Sequence, residues 1–107
     1  MRIDVSMKTR KGEYAMGVYT GEKLTVLAGG KINMNVSEHI VGGKFANKYR
    51  HNSEYVDSYG NILKDCEFNS PSIAAQFVNG NSTNGYRVWK VASGKNLGQY
   101  LKENGLK

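Results

Sequence analysis

The apolar residues of this chain change their period from two to between three and four along its length. Ile3, Val5 and Met7 alternate with Asp4, Ser6 and Lys8, and Tyr14, Met16 and Val18 resume the alternation beyond the Lys11-Gly12 turn. Leu24-Thr25-Val26-Leu27 follows a second turn at Gly21, and Ile32, Met34 and Val36 then alternate with asparagines. A period of two sends successive side chains to opposite faces of a strand, so this third predicts three or four strands in an antiparallel meander. Gly29-Gly30 interrupts it as a bulge or sharp bend.

The last forty residues carry the longer period. Ser70 caps a predicted helix that begins at Pro71, where the missing proline N–H costs nothing. Ile73, Ala74, Phe77 and Val78 form its apolar stripe, and Gly80 suits a left-handed stop. Asn84-Gly85 predicts a tight turn into a strand over Arg87-Val88-Trp89-Lys90-Val91. Ser93-Gly94 leads to a final helix carrying Leu97, Tyr100 and Leu101, with Gly105 as its stop. Between these regions, Gly42-Gly43 breaks the chain, and Phe45, Tyr49 and Tyr59 are expected on one face of an irregular helix. The fold class is therefore α+β: an N-terminal antiparallel β-meander packed with two or three short helices. A chain of 107 residues suits a single domain over 1–107.

Several functional classes drop out on composition. Cys66 is the only cysteine, which rules out an internal disulfide or a cysteine-built metal centre, and His39 and His51 stand twelve residues apart with no acidic ligand pattern. No metal and no cofactor are expected. Neither histidine lies near a plausible nucleophile in sequence, no glycine-rich phosphate loop follows a strand, and Glu54, Asp57, Asp65 and Glu67 match no metal spacing. A non-enzymatic role is expected. No apolar run approaches the ~20 residues of a membrane span, and Met1-Arg2-Ile3-Asp4 lacks a signal-peptide core. The expected location is the reducing cytoplasm.

The formal net charge of +6 is unevenly spread. Arg2, Lys8, Arg10 and Lys11 outweigh Asp4 at the start, and the last forty residues are again basic. Glu54, Asp57, Asp65 and Glu67 make 53–67 acidic. One positive face is the footprint of a polyanion partner, although a solubilising surface charge accounts for the composition equally well.

SPSIAAQFVNGNSTNGYRVW, residues 70–89, resembles a pattern of S-P-S-x-A-A, V-x-G, N-G-W and W. It belongs to a small domain of unknown function found C-terminal in GIY-YIG-type nucleases and beside restriction–modification proteins. That domain is related to the RAMA module, named for its association with restriction-system adenine methylases. Upstream, Tyr14–Thr20 looks like the family's A-x-G-x-Y strand and Val26–Lys31 like its V-L-K-G-S-K turn. The sequence departs from the pattern at Ala28, Gly30, Asn81 and Tyr86. The resemblance implies a nucleic-acid setting and, through RAMA, the sensing of modified DNA. Cutting or methylation belongs to the neighbouring domain, so a free-standing, RAMA-like accessory domain is expected.

The candidate contacts follow from side-chain chemistry. Ser70 and Ser72 offer hydroxyls and N–H groups at a helix start, where either a phosphate or the helix's own cap is served. Asn84 sits at a turn tip. On a strand, Arg87 and Trp89 share one face and Tyr86 and Lys90 the other, pairing a cation with a stacking ring. As the only tryptophan, Trp89 is the simpler core anchor. Lys44, Lys48 and Arg50 form a second basic strip. These residues predict nucleic-acid binding, duplex DNA being favoured and modified DNA the narrower case, linked to restriction or defence. One alternative is a small phage or mobile-element protein that binds and inhibits a host nuclease or defence protein. Another is a nucleotide or signalling small-molecule binder.

Overall fold

A computed structural model describes residues 1–34, 49–81 and 83–106. Four strands form one antiparallel sheet in the order β1 (Ile3–Lys8), β2 (Tyr14–Tyr19), β3 (Leu24–Val26) and β4 (Cys66–Phe68). Three helices follow: α1 (Pro71–Asn79), α2 (Gly85–Val88) and α3 (Leu97–Glu103). The α+β expectation holds. The fourth strand, however, is Cys66–Phe68, paired to β3 with Leu24 opposite Phe68. Lys31 makes only an isolated bridge to Asn61, Ile32–Met34 lie outside any strand, and Val36 lies outside the described residues.

The β1–β2 register places Ile3 opposite Tyr19 and Lys8 opposite Tyr14. Ile3, Val5 and Met7 face inward as their alternation requires. In β2 the inward residues are Ala15, Gly17 and Tyr19, so Tyr14, Met16 and Val18 point to the other side. The cause is crowding at Gly17. A Cβ there would lie 2.8 Å from Leu24 Cδ2 and 3.1 Å from Thr25 O, with Trp89 Cζ3 in ordinary contact at 3.5 Å, so only the small side of β2 fits inward.

Helix α1 is built as its sequence dictates. Ser70 Oγ accepts from the Ile73 N–H at 3.1 Å, Pro71 occupies the first turn, and Gly80 ends the helix at φ 81°. Its buried Ala74, Ala75, Phe77 and Val78 pack on the sheet, with the Phe68 and Phe77 rings 5.0 Å apart and Tyr49 edge-on to both. Its last three carbonyls are engaged by distant groups. Arg50 Nε donates to Phe77 O at 3.0 Å, the Asn33 N–H to Val78 O at 2.8 Å, and Asn33 Nδ2 to Asn79 O at 3.0 Å. Of the aromatic face expected in the middle of the chain, Tyr49 joins the core, Tyr59 is 74% exposed at a turn, and Phe45 lies outside the described residues.

The predicted strand over 87–91 is not one. Asn84 Oδ1 accepts from the Tyr86 N–H at 3.1 Å and caps the short helix α2. Gly85 is required for contact: a Cβ there would fall 2.1 Å from the Pro71 carbonyl carbon. The starts of α1 and α2 therefore touch backbone to backbone. Lys90 alone pairs in strand fashion, with Ser6 on β1 and with Asn96. The closing helix matches expectation, with Leu97 and Leu101 buried and Gly105 at φ 65° just beyond it.

Candidate nucleic-acid interface

The predicted contacts separate into structural and surface residues. Trp89 is fully buried and its Nε1–H donates to Pro71 O at 3.0 Å, so the indole forms no stacking surface. Ser70 is occupied as the α1 cap, and Ser72 Oγ accepts from the Gly85 N–H at 3.0 Å. Asn84 caps α2. Tyr86 lies edge-on to Tyr19, centroids 6.5 Å apart, and is half-buried. Arg50 is buried at the α1 C-terminus, where its guanidinium also donates to Asn33 O. Burial pulls its pKa down to about 10, and the Phe77 and Asn33 carbonyls replace the water it has lost. Arg87 and Lys90 are exposed, but the helical turn removes the Arg87–Trp89 pairing expected of a strand. Lys44 and Lys48 lie outside the described residues.

Another set of residues comes together at the tip of the β1–β2 hairpin. The Thr9 N–H donates to Glu13 O at 2.8 Å, the Thr9 hydroxyl donates to the Glu13 carboxylate, and Gly12 turns the chain at φ 100°. This lock leaves Arg10 and Lys11 exposed at the tip. Facing them, Asn79 Nδ2 donates to Asn81 Oδ1 at 2.8 Å and to Thr83 Oγ1 at 3.0 Å, tying the chain beyond α1 into a polar wall. Between the two runs a groove of about 570 Å³, lined by Lys8, Arg10, Lys11, Asn33, Asn79, Asn81 and Thr83 over Met7 and Val88.

Among the described residues the groove's lining holds three cationic residues and no carboxylate, the nearby Glu13 carboxylate being taken up by the Thr9 hydroxyl. The acids of 53–67 are engaged elsewhere. Glu67 pairs with Lys23 at 3.2 Å and Glu54 with Lys64 at 3.9 Å. Asp65 Oδ1 accepts from the Ala28 N–H at 2.8 Å. Asp57 accepts from the Tyr59 and Asn61 N–H groups and from the Asn61 side chain, which above all holds its carboxyl below the usual range. Negative charge is thus used to fasten loops, while Lys8, Arg10 and Lys11 take part in none of the ion pairs among the described residues. Sequence reading missed this cluster, although the cationic excess of the first twelve residues pointed to it. Among the described residues no group of three or more His, Cys, Asp or Glu is placed to hold a metal, and no helix is long and apolar enough to cross a membrane.

A family model described as a domain of unknown function (DUF4357) matches residues 5–101, from inside β1 to the end of the core-facing stripe of α3. The chain belongs to this family. The DUF4357 match takes in the whole sheet, the Trp89–Pro71 contact and both walls of the groove. No curated protein and no solved structure matches the chain.

Proposed function

We propose that this DUF4357 domain is a non-catalytic nucleic-acid-binding module that grips phosphates in the hairpin groove. The observation that carries this reading is the cluster of Lys8, Arg10 and Lys11 along a polar channel whose lining, among the described residues, holds no carboxylate. Cations free of acidic partners release condensed counterions when they meet a phosphate backbone, and an amide such as that of Asn81 adds neutral hydrogen bonds to phosphate or sugar. Arg87 and Lys90 extend the charge. Val88, next to Arg87, forms part of the groove floor, and Lys90 bridges Ser6, two residues from Lys8. The resemblance to domains beside GIY-YIG nucleases and to RAMA favours DNA, in a restriction or defence setting and inside the cell.

Fluorescence anisotropy with a labelled oligonucleotide over a salt series tests the reading. Affinity is expected to fall with a log–log slope of roughly 0.7–0.9 per phosphate neutralised. Lys8→Ala, Arg10→Ala and Lys11→Ala should each weaken binding and flatten that slope, whereas Lys102→Ala on α3 should not. An affinity indifferent to salt rejects the proposal.

One feature favours a second reading, a protein partner such as a nuclease or defence factor. β1 is the outer strand of the sheet, and Lys90 pairs with it only at Ser6. Such an edge can accept an added strand. A partner captured from nuclease-treated lysate and lost on a Lys8→Pro substitution would support it.

A further inference from the structure

The outward side of β2 is unusual for a surface: Tyr14 is 48% and Met16 50% exposed. They form one side of a shallow apolar cleft of about 210 Å³, completed by Leu27, Ala28, Gly29 and Gly30. Single exposed apolar side chains need no explanation, but a contiguous set around a hollow marks a contact surface. The hollow is held open by the backbone. A Cβ on Gly30 would sit 2.9 Å from Tyr14 O and 3.0 Å from Ala15 Cα, so no side chain fits there. The loop is fixed by the Gly29 N–H on Ile62 O at 2.9 Å and the Ala28 N–H on Asp65.

The charges around the hollow indicate its occupant. Lys8 stands directly across from Tyr14 in the sheet register, with its side chain on the same face. The exposed Lys31 donates its backbone N–H to Tyr14 O at 2.9 Å, so a second cationic residue adjoins Tyr14 in the chain's packing. Asp65 is the acid in contact with the loop, and its carboxylate is occupied by Ala28. An aromatic ring with Lys8 on the same face, beside a narrow apolar slot, suits a flat ring carrying an anion. Lys8 also lines the groove, and so links it to the face that carries Tyr14.

We propose that the open face of the sheet stacks an unpaired nucleobase on Tyr14, with Met16 and Leu27 against its edge and Lys8 on the adjoining phosphate. The partner is then single-stranded nucleic acid, or a strand with bases out of the stack, because bases inside a duplex have no face to offer. This rests on the phosphate-binding reading of the groove and narrows its substrate. Duplex DNA, favoured from sequence, is bound by phosphates alone.

The experiment compares a single-stranded oligonucleotide with its duplex at one salt concentration, and crosslinks the unmodified protein to an oligonucleotide carrying 5-iodouracil. The single strand is expected to bind more tightly and the crosslink to map to Tyr14. Tyr14→Ala should weaken single-strand binding about ten-fold or more while leaving the duplex nearly unchanged, and Tyr14→Phe, which keeps the ring, should retain it. If Tyr14→Ala leaves single-strand affinity intact, or the crosslink maps elsewhere, while Arg10→Ala and Lys11→Ala still lose binding, the stacking face is refuted and the groove survives. If neither nucleic acid binds, both fall.

Discussion

The indole of Trp89 lies over Gly17 and donates to Pro71 O, joining sheet, α1 and α2 in one side chain. Trp89→Ala should cost about 3–5 kcal/mol in urea unfolding. Trp89→Phe should cost about 1–3 kcal/mol, because the Pro71 carbonyl stays buried without its donor. Neither loss should depend on added oligonucleotide in the way a binding residue's would. Arg50 makes the same point for a charge: Arg50→Met strands the Phe77 carbonyl and should cost about 1.5–3 kcal/mol in the same measurement, with the salt slope of binding unaltered.

Among the elements, the contact between the starts of α1 and α2 is the least forgiving. Gly85→Ala puts a methyl group 2.1 Å from a backbone carbon and should destabilise by about 3 kcal/mol or more. Gly94→Ala, with φ 92° and nothing within 4 Å, carries only conformational strain and should cost about 1–2 kcal/mol. Thermal melts of the two variants separate these causes. The same glycine shows where sequence reading stops. Helix α1 was legible because Ser70, Pro71 and Gly80 act on their own neighbours. Asn84-Gly85 has the composition of a hairpin turn, yet Gly85 answers to Pro71, fourteen positions away, and the strand expected after it became a helix. The facing of β2 was hidden for a like reason: its larger apolar residues define the alternation, but the close approach of Leu24 and the Thr25 carbonyl at Gly17 selects the smaller set. Of the candidate site, Arg87 and Lys90 were legible as surface cations. The Arg10–Asn81 groove was not, since only folding brings its walls together.

Over the whole molecule, burial and charge set a pH window. Burial, and then the hydrogen bond with Tyr86, pushes Tyr19 up to about 12 from 10.0, and burial, with the Asp65 charge second, pushes Cys66 up to about 12 from 9.0. Both groups hold their protons more tightly folded than unfolded, so their contribution is complete below pH 9 and is lost as pH rises toward 12. Urea midpoints should be level from neutral pH to about 9 and then decline. Cys66→Ala should delay that decline to the range above about 10, where Tyr19 alone titrates. The native thiol should also resist alkylation at pH 8 and react once the chain is unfolded.

Lys8 belongs to two surfaces at once, lining the groove and standing across from Tyr14 on the open face of the sheet. A short ligand must choose a side, and two short ligands compete for the same positive charge. A strand long enough to span both adds its second contact at high effective concentration. Affinity should therefore rise with ligand length in a step, at the length that first bridges the two, and not in even increments per residue added.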